Sequence, residues 1–128
     1  MSKHYVQVNI GRNVGDEPMS DFLWVEFQNE VARALIDLIW DTEPDREASP
    51  STDEIEIHEG RGNWGGRGTP DEESVHYSIL VETGKLPVGE FAHAMADFTR
   101  ALRDLAGEFG QEAIALITGS RLLKPRSN

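Results

Sequence analysis

The sequence predicts an α+β fold of the ferredoxin-like kind, a βαββαβ sandwich with a four-stranded antiparallel sheet and two helices on one face. Two observations predict it. The chain reads strand-helix-strand twice over, and its apolar residues recur every second position in the strands and every third or fourth in the helices. That topology places the strands in the spatial order 4-1-3-2 and so decides which side chains face water.

The first strand covers residues 3–10, with Val6, Val8 and Ile10 on one face and Tyr5, Gln7 and Asn9 on the other. Residues 11–17 read as a loop. Pro18 and Ser20-Asp21 mark a helix start, with acid in the first turn to suit the helix dipole. Trp24, Phe27, Val31, Leu35, Leu38 and Ile39 then follow at helical spacing as far as Trp40, and that stripe is the expected core. From Asp41 to Thr52 the composition turns to Pro, Ser, Asp and Glu, a long solvated connection. A second strand is expected over 53–58, with Ile55 and Ile57 alternating against Glu54, Glu56 and His58.

Residues 60–70 hold five glycines with Arg61, Asn63, Trp64 and Arg67, and read as a loop. The third strand is expected over 74–82. A second helix is expected to start near Pro87, carry Phe91, Met95, Phe98, Leu102 and Leu105 inward, and stop at Gly107 or Gly110. Residues 111–118 make a short apolar fourth strand. The organisation is one domain over 1–120 containing the Gly-rich loop, followed by a short basic C-terminal tail, 121–128, with Arg121, Lys124 and Arg126.

Composition narrows the function classes. The 128 residues include no cysteine, which removes disulfides, thiolate zinc sites and thiol nucleophiles. The formal net charge is −11, which repels nucleic acid and anionic membranes and favours a basic protein partner. No apolar run approaches the roughly 20 residues that span a bilayer. The polar start of the first strand leads to the expectation of a cytoplasmic protein. Arginine outnumbers lysine, a weak hint of bacterial or phage origin.

Three candidate sites emerge. The open sheet face gathers Asn9, Glu56, His58, His76 and Ser78, with a hairpin between the second and third strands bringing His58 beside His76 and Asn9 across from them. Two imidazoles near a carboxylate are the groups of a metal site or of an acid–base pair. With no third histidine at hand, no metal and no cofactor are expected. An uncovered sheet face also invites a second subunit, so a homodimer is expected. The Gly-rich loop offers Arg61, Arg67 and exposed amides to an anion, and Trp64 to a base or a partner's pocket, together with Asn63. It lacks the Gly-Lys-Ser/Thr ending of a P-loop, and a strand rather than a helix follows it. The acidic stretch Asp41, Glu43, Asp45 and Glu47 is the expected partner face.

His76-Tyr77-Ser78 also resembles one half of the paired His-x-Ser/Thr motifs of two-histidine phosphoesterases. That resemblance would make the protein a histidine-dependent phosphoesterase, although the symmetry-related position reads His4-Tyr5-Val6 and lacks the second hydroxyl. The sequence thus leads to a first expectation of a non-enzymatic, inhibitor- or immunity-type protein that occludes a basic partner. Its alternative is a small-ligand protein that holds a nucleotide-like anion between the Gly/Arg/Trp loop and the open sheet face.

Overall fold

A computed structural model describes residues 3–62, 72–84, 86–87, 89–111 and 114–119. The elements are β1 (Lys3–Gly11), β2 (Asn13–Val14), β3 (Glu17–Pro18), α1 (Asp21–Thr42), β4 (Glu56–Gly62), β5 (Glu72–Glu82), α2 (Glu90–Glu108) and β6 (Ala115–Gly119), with one turn of 3-10 helix at Thr52–Glu54. The main sheet is antiparallel in the order β4-β5-β1-β6, which is the expected ferredoxin-like arrangement.

Alternation sets the layers. Val6, Val8 and Ile10 of β1 and Val75, Tyr77, Ile79 and Val81 of β5 are buried against the helices. Trp24, Phe27, Val31, Leu35 and Leu38 of α1, with Ala94, Phe98 and Leu102 of α2, close the core from above. Each such side chain contributes about 1.5–3 kcal/mol when fully buried, so this stripe dominates the fold's stability. Tyr77 brings a polar tip into that core, and its hydroxyl donates to the Gln28 carbonyl at 3.1 Å. Burial holds its phenol well above the usual tyrosine range.

The helix ends follow local chemistry. Ser20 caps α1 by accepting from the Leu23 N–H at 3.2 Å. α2 begins at Glu90, three residues beyond the expected Pro87, because Gly89 takes a left-handed φ of 89° and redirects the chain into the helix. It ends in a Schellman arrangement. Gly110 has φ 70°, and the Gln111 N–H reaches back to the Ala106 carbonyl at 2.8 Å.

Other boundaries differ from expectation too, β5 for one beginning at Glu72 rather than at residue 74. Residues 11–17 contain the small β2–β3 hairpin, turning at Gly15 with φ 65°, rather than a plain loop. β4 begins at Glu56 and continues through Gly62, so the first glycines of the Gly-rich segment are ladder residues rather than loop. The preceding residues Thr52–Glu54 are helical because Ser51 and Glu54 form a capping box. β6 starts at Ala115 rather than at residue 111. The rest of the Gly-rich loop and the basic tail lie outside the described residues.

Candidate functional site

The antiparallel ladders assemble a row of side chains across the open face. His58 pairs with His76, His76 with Asn9, and Asn9 with Ala115, one residue from each strand. The next row is Glu56, Ser78, Gln7 and Ile117, and beyond it Leu80 pairs with Tyr5. Paired residues point to the same side of a sheet, and the helix-facing neighbours on the two central strands, Val8 and Ile10 of β1 and Val75 and Tyr77 of β5, are buried. With strands about 4.8 Å apart, His58 to Asn9 spans about 10 Å. The register therefore puts Asn9, Glu56, His58, His76 and Ser78 on one face of the sheet.

Gln7 belongs to the same cluster, since its amide donates to Oδ1 of Asn9 at 3.1 Å. Glu56 lies 3.7 Å from Nε2 of His58 on the edge strand. At the other end the face turns apolar, with Tyr5 and Leu80 about half exposed. Ile117 adds to that end. It was missed in the sequence because the run Ala113 to Ile117 does not alternate, so nothing in it marks a face. Among the described residues no group of three or more His, Asp or Glu side chains is placed to hold a metal ion.

The paired-histidine arrangement does not form. His4 is on the helix-facing side of β1, its ring 4.6 Å from that of Phe91, whereas His76 is on the open side of β5. The one-residue offset in strand parity separates them by the thickness of the sheet, which corrects the phosphoesterase resemblance.

The acidic stretch after α1 is partly neutralised within the chain. Arg46 makes a bidentate pair with Glu54, at 2.9 and 2.7 Å, and reaches Glu43 at 3.3 Å. The Arg46 hydrogen bonds hold the Glu54 carboxyl below its ordinary value. Asp41 instead faces the groove between the two helices, where burial first, and then Asp37 and Asp97, hold its carboxyl above the usual aspartate range. Asp45 and Glu47 follow on the connecting segment, and Asn63, Trp64 and Arg67 lie outside the described residues. Arg61 is a ladder residue opposite Glu73.

At the far end of the sheet Arg12 ties several elements together. Its guanidinium donates to Asp21 at 2.6 Å, to Glu73 at 2.5 Å and to the Met19 carbonyl at 2.8 Å. Beside it the buried Glu72 carboxylate accepts from the Asn13 N–H at 2.7 Å. No spacing in the sequence marks this cluster, because Glu72 and Glu73 reach Asn13 and Arg12 only across the β1–β5 ladder, while Met19 and Asp21 come back to Arg12 over the short β2–β3 hairpin.

No family model and no curated protein matches the sequence. Among solved structures the fold is shared with a phage SAM lyase in complex with S-methyl-5'-thioadenosine. That protein is 18% identical, over 94% of this chain and 82% of the other, with a TM-score of 0.51. A phage SAM lyase in the apo state is 16% identical, over 95% of this chain and 92% of the other, with a TM-score of 0.50. Likeness at this identity shows a common fold.

These comparisons overturn the expectation of a non-enzymatic inhibitor that occludes a basic partner. The fold recurs, over nearly the whole chain, in proteins whose scaffold serves an enzyme with a small-molecule site. The physical premise fails too. Polar groups do converge, along the His58–His76–Asn9 row, while one acid of the expected partner face, Glu43, is engaged by Arg46.

Proposed function

We propose that this protein binds a small adenosine-bearing ligand of the S-adenosylmethionine class on its open sheet face. The observation that carries the reading is the cross-strand row His58–His76–Asn9 with Gln7, Ser78 and Glu56 beside it. Its donors and acceptors suit the edge of a purine and the hydroxyls of a ribose, and a rigid sheet holds them in fixed spacing. The apolar end of the face, Tyr5 and Leu80, suits a thioether or sulfonium group, since an aromatic ring attracts a cation over its face. Support also comes from the shared fold, because the solved phage SAM lyase holds S-methyl-5'-thioadenosine.

The Gly-rich loop residues Asn63, Trp64 and Arg67 are carried into this reading as candidates for ligand contact, and Arg61, in the ladder opposite Glu73, is not. The anionic character of the chain, −11 overall, favours a ligand with net positive charge. A protein in this role needs no metal and no resident cofactor.

The test is a thermal-shift and calorimetric titration with S-adenosylmethionine, S-methyl-5'-thioadenosine and a panel of nucleotides, with mass spectrometry of the mixture after incubation. Binding of the two adenosyl compounds, lost in Asn9→Ala and His76→Ala proteins that melt like the parent, is the expected result. Release of methylthioadenosine from the larger compound would make the protein an enzyme as well as a binder. Flat titrations with both adenosyl compounds would end the proposal.

A further inference from the structure

α1 carries a second apolar stripe on its outer side, exposed at Phe22, Val25 and Trp40, with Ala32 and Ile36 partly buried against the core. Phe22, Val25, Asn29, Ala32, Ile36 and Trp40 succeed one another at spacings of three, four, three, four and four. At 3.6 residues per turn these positions fall on one side of the helix, turned away from the buried Trp24, Phe27, Val31 and Leu38. Phe22 is 75% exposed and Val25 53%, and Trp40 is exposed at the other end of the helix. The groove towards α2 is lined instead by Glu30, Ala34, Asp37 and Leu38, so the stripe lies on the flank that α2 leaves open.

The helix side of the sheet also has an exposed apolar residue at its edge. Ile57 pairs with Tyr77, which faces α1 and donates to Gln28, so Ile57 is on the helix side of the edge strand β4, and it is 44% exposed. Large exposed apolar residues aligned on one surface mark an interface rather than scattered surface hydrophobics.

We infer that this flank of α1 pairs with the same flank of a second copy, the two helices running antiparallel about a two-fold axis near Ala32. Three features commit the surface to that occupant. The three-four spacing with a lone Asn29 among apolar positions is the pattern of a helix–helix seam, in which a buried polar residue fixes register. Reversing the stripe onto itself sets Phe22 near Trp40 and Val25 near Ile36, so the surface complements its own copy, as an isologous contact requires. The charges agree. Arg33 is the one basic residue of α1; it reaches Glu30 at 3.4 Å within the chain on the α2 side yet stays largely exposed, and Glu26 borders the same edge of the stripe seven positions away. Antiparallel pairing brings the Arg33 of each copy to the Glu26 of the other, and within one chain a separation of seven is beyond direct contact.

The inference stands apart from the ligand reading, because the stripe and the open sheet face lie on opposite sides of the domain. Sedimentation equilibrium on the full chain should give a dimer. Val25→Lys should weaken the association by about tenfold or more while circular dichroism and melting stay unchanged, since Val25 is exposed. Arg33→Glu should weaken it as well, and Glu26→Arg in the same chain should restore it. With no native cysteine, single replacements report orientation directly. Ala32→Cys should cross-link to itself, and Phe22→Cys should cross-link to Trp40→Cys in a mixture but not to itself. A monomer at all concentrations, or an oligomer indifferent to Val25→Lys, would overturn the inference. Self-linking of Phe22→Cys would overturn the antiparallel arrangement.

Discussion

Gly11 and Glu72 occupy adjoining space: a Cβ added to Gly11 would overlap the Glu72 carboxylate. That carboxylate cannot readily swing aside, because it is buried and accepts from the Asn13 N–H at 2.7 Å. Gly11→Ala is therefore expected to destabilise the fold by about 1–3 kcal/mol, the range for overpacking. Denaturant unfolding checks it. In a Glu72→Ala background the same substitution should cost much less, since the overlapping group is gone. Equal costs in both backgrounds would place the strain elsewhere.

The Tyr77 hydroxyl is the polar atom that β5 sends up to α1. Tyr77→Phe removes its bond to the Gln28 carbonyl and should cost about 1 kcal/mol in unfolding free energy. Its phenol is raised above the ordinary value of 10.0 by burial. The unfolded chain therefore loses this proton before the folded one does, so the contribution is complete below the unfolded value and is lost as pH rises beyond it. The parent should lose stability through the alkaline range more steeply than Tyr77→Phe, and parallel pH–stability curves would contradict this account.

Two carboxylates of the α1 end respond to acid in opposite directions. Glu54 is lowered from 4.5 by its hydrogen bonds from Arg46, so its contribution is present above that value and is lost as pH falls through the folded-state value. Arg46→Met should therefore lower the melting temperature at neutral pH and make little difference in strong acid. Asp41 is raised from 3.8 by burial and by Asp37 and Asp97, so its ionised form opposes folding at neutral pH. Asp41→Asn should raise the melting temperature slightly at pH 7, and the gain should shrink as pH falls. Because Asp41 is largely exposed, solvent screens both neighbours and the effect stays small.

Strand parity made most of the sheet legible beforehand. The alternation of Val6, Val8 and Ile10 against Gln7 and Asn9 named the buried and open faces, and the open row of Asn9, His76 and His58 followed from them. α1 was legible only on its inward side. Its outer stripe shares the same three-four spacing, so a single pass for helical periodicity assigns the apolar residues to one core and leaves Phe22 and Val25 unaccounted for. The Arg12 cluster was missed because residues 11–17 read as a plain loop, whereas the β2–β3 hairpin returns Met19 and Asp21 to Arg12 and Glu73 arrives only through the sheet. The start of α2 was misplaced for a local reason: Pro87 suits a first turn, but the left-handed Gly89 caps the helix and sets its start three residues later, at Glu90.

Ligand charge should separate the adenosyl compounds on this surface. S-adenosylmethionine carries a sulfonium, an ammonium and a carboxylate, and so one net positive charge, whereas methylthioadenosine is neutral. The protein carries −11, and Glu56 stands in the second row of the open face itself. Long-range attraction of this kind is screened by salt, with a Debye length near 10 Å at 0.1 M that falls to about 3 Å at 1 M. Raising ionic strength should therefore weaken binding of the cation several-fold and leave the neutral thioether almost unchanged. Glu56→Gln should reduce the salt dependence for the cation alone, because it removes a charge beside His58 without altering the row's shape. Calorimetry at three salt concentrations reads both slopes. If the two compounds showed the same slope, recognition would rest on the base and ribose, and the carboxylate at Glu56 would have no part in selecting the charged arm.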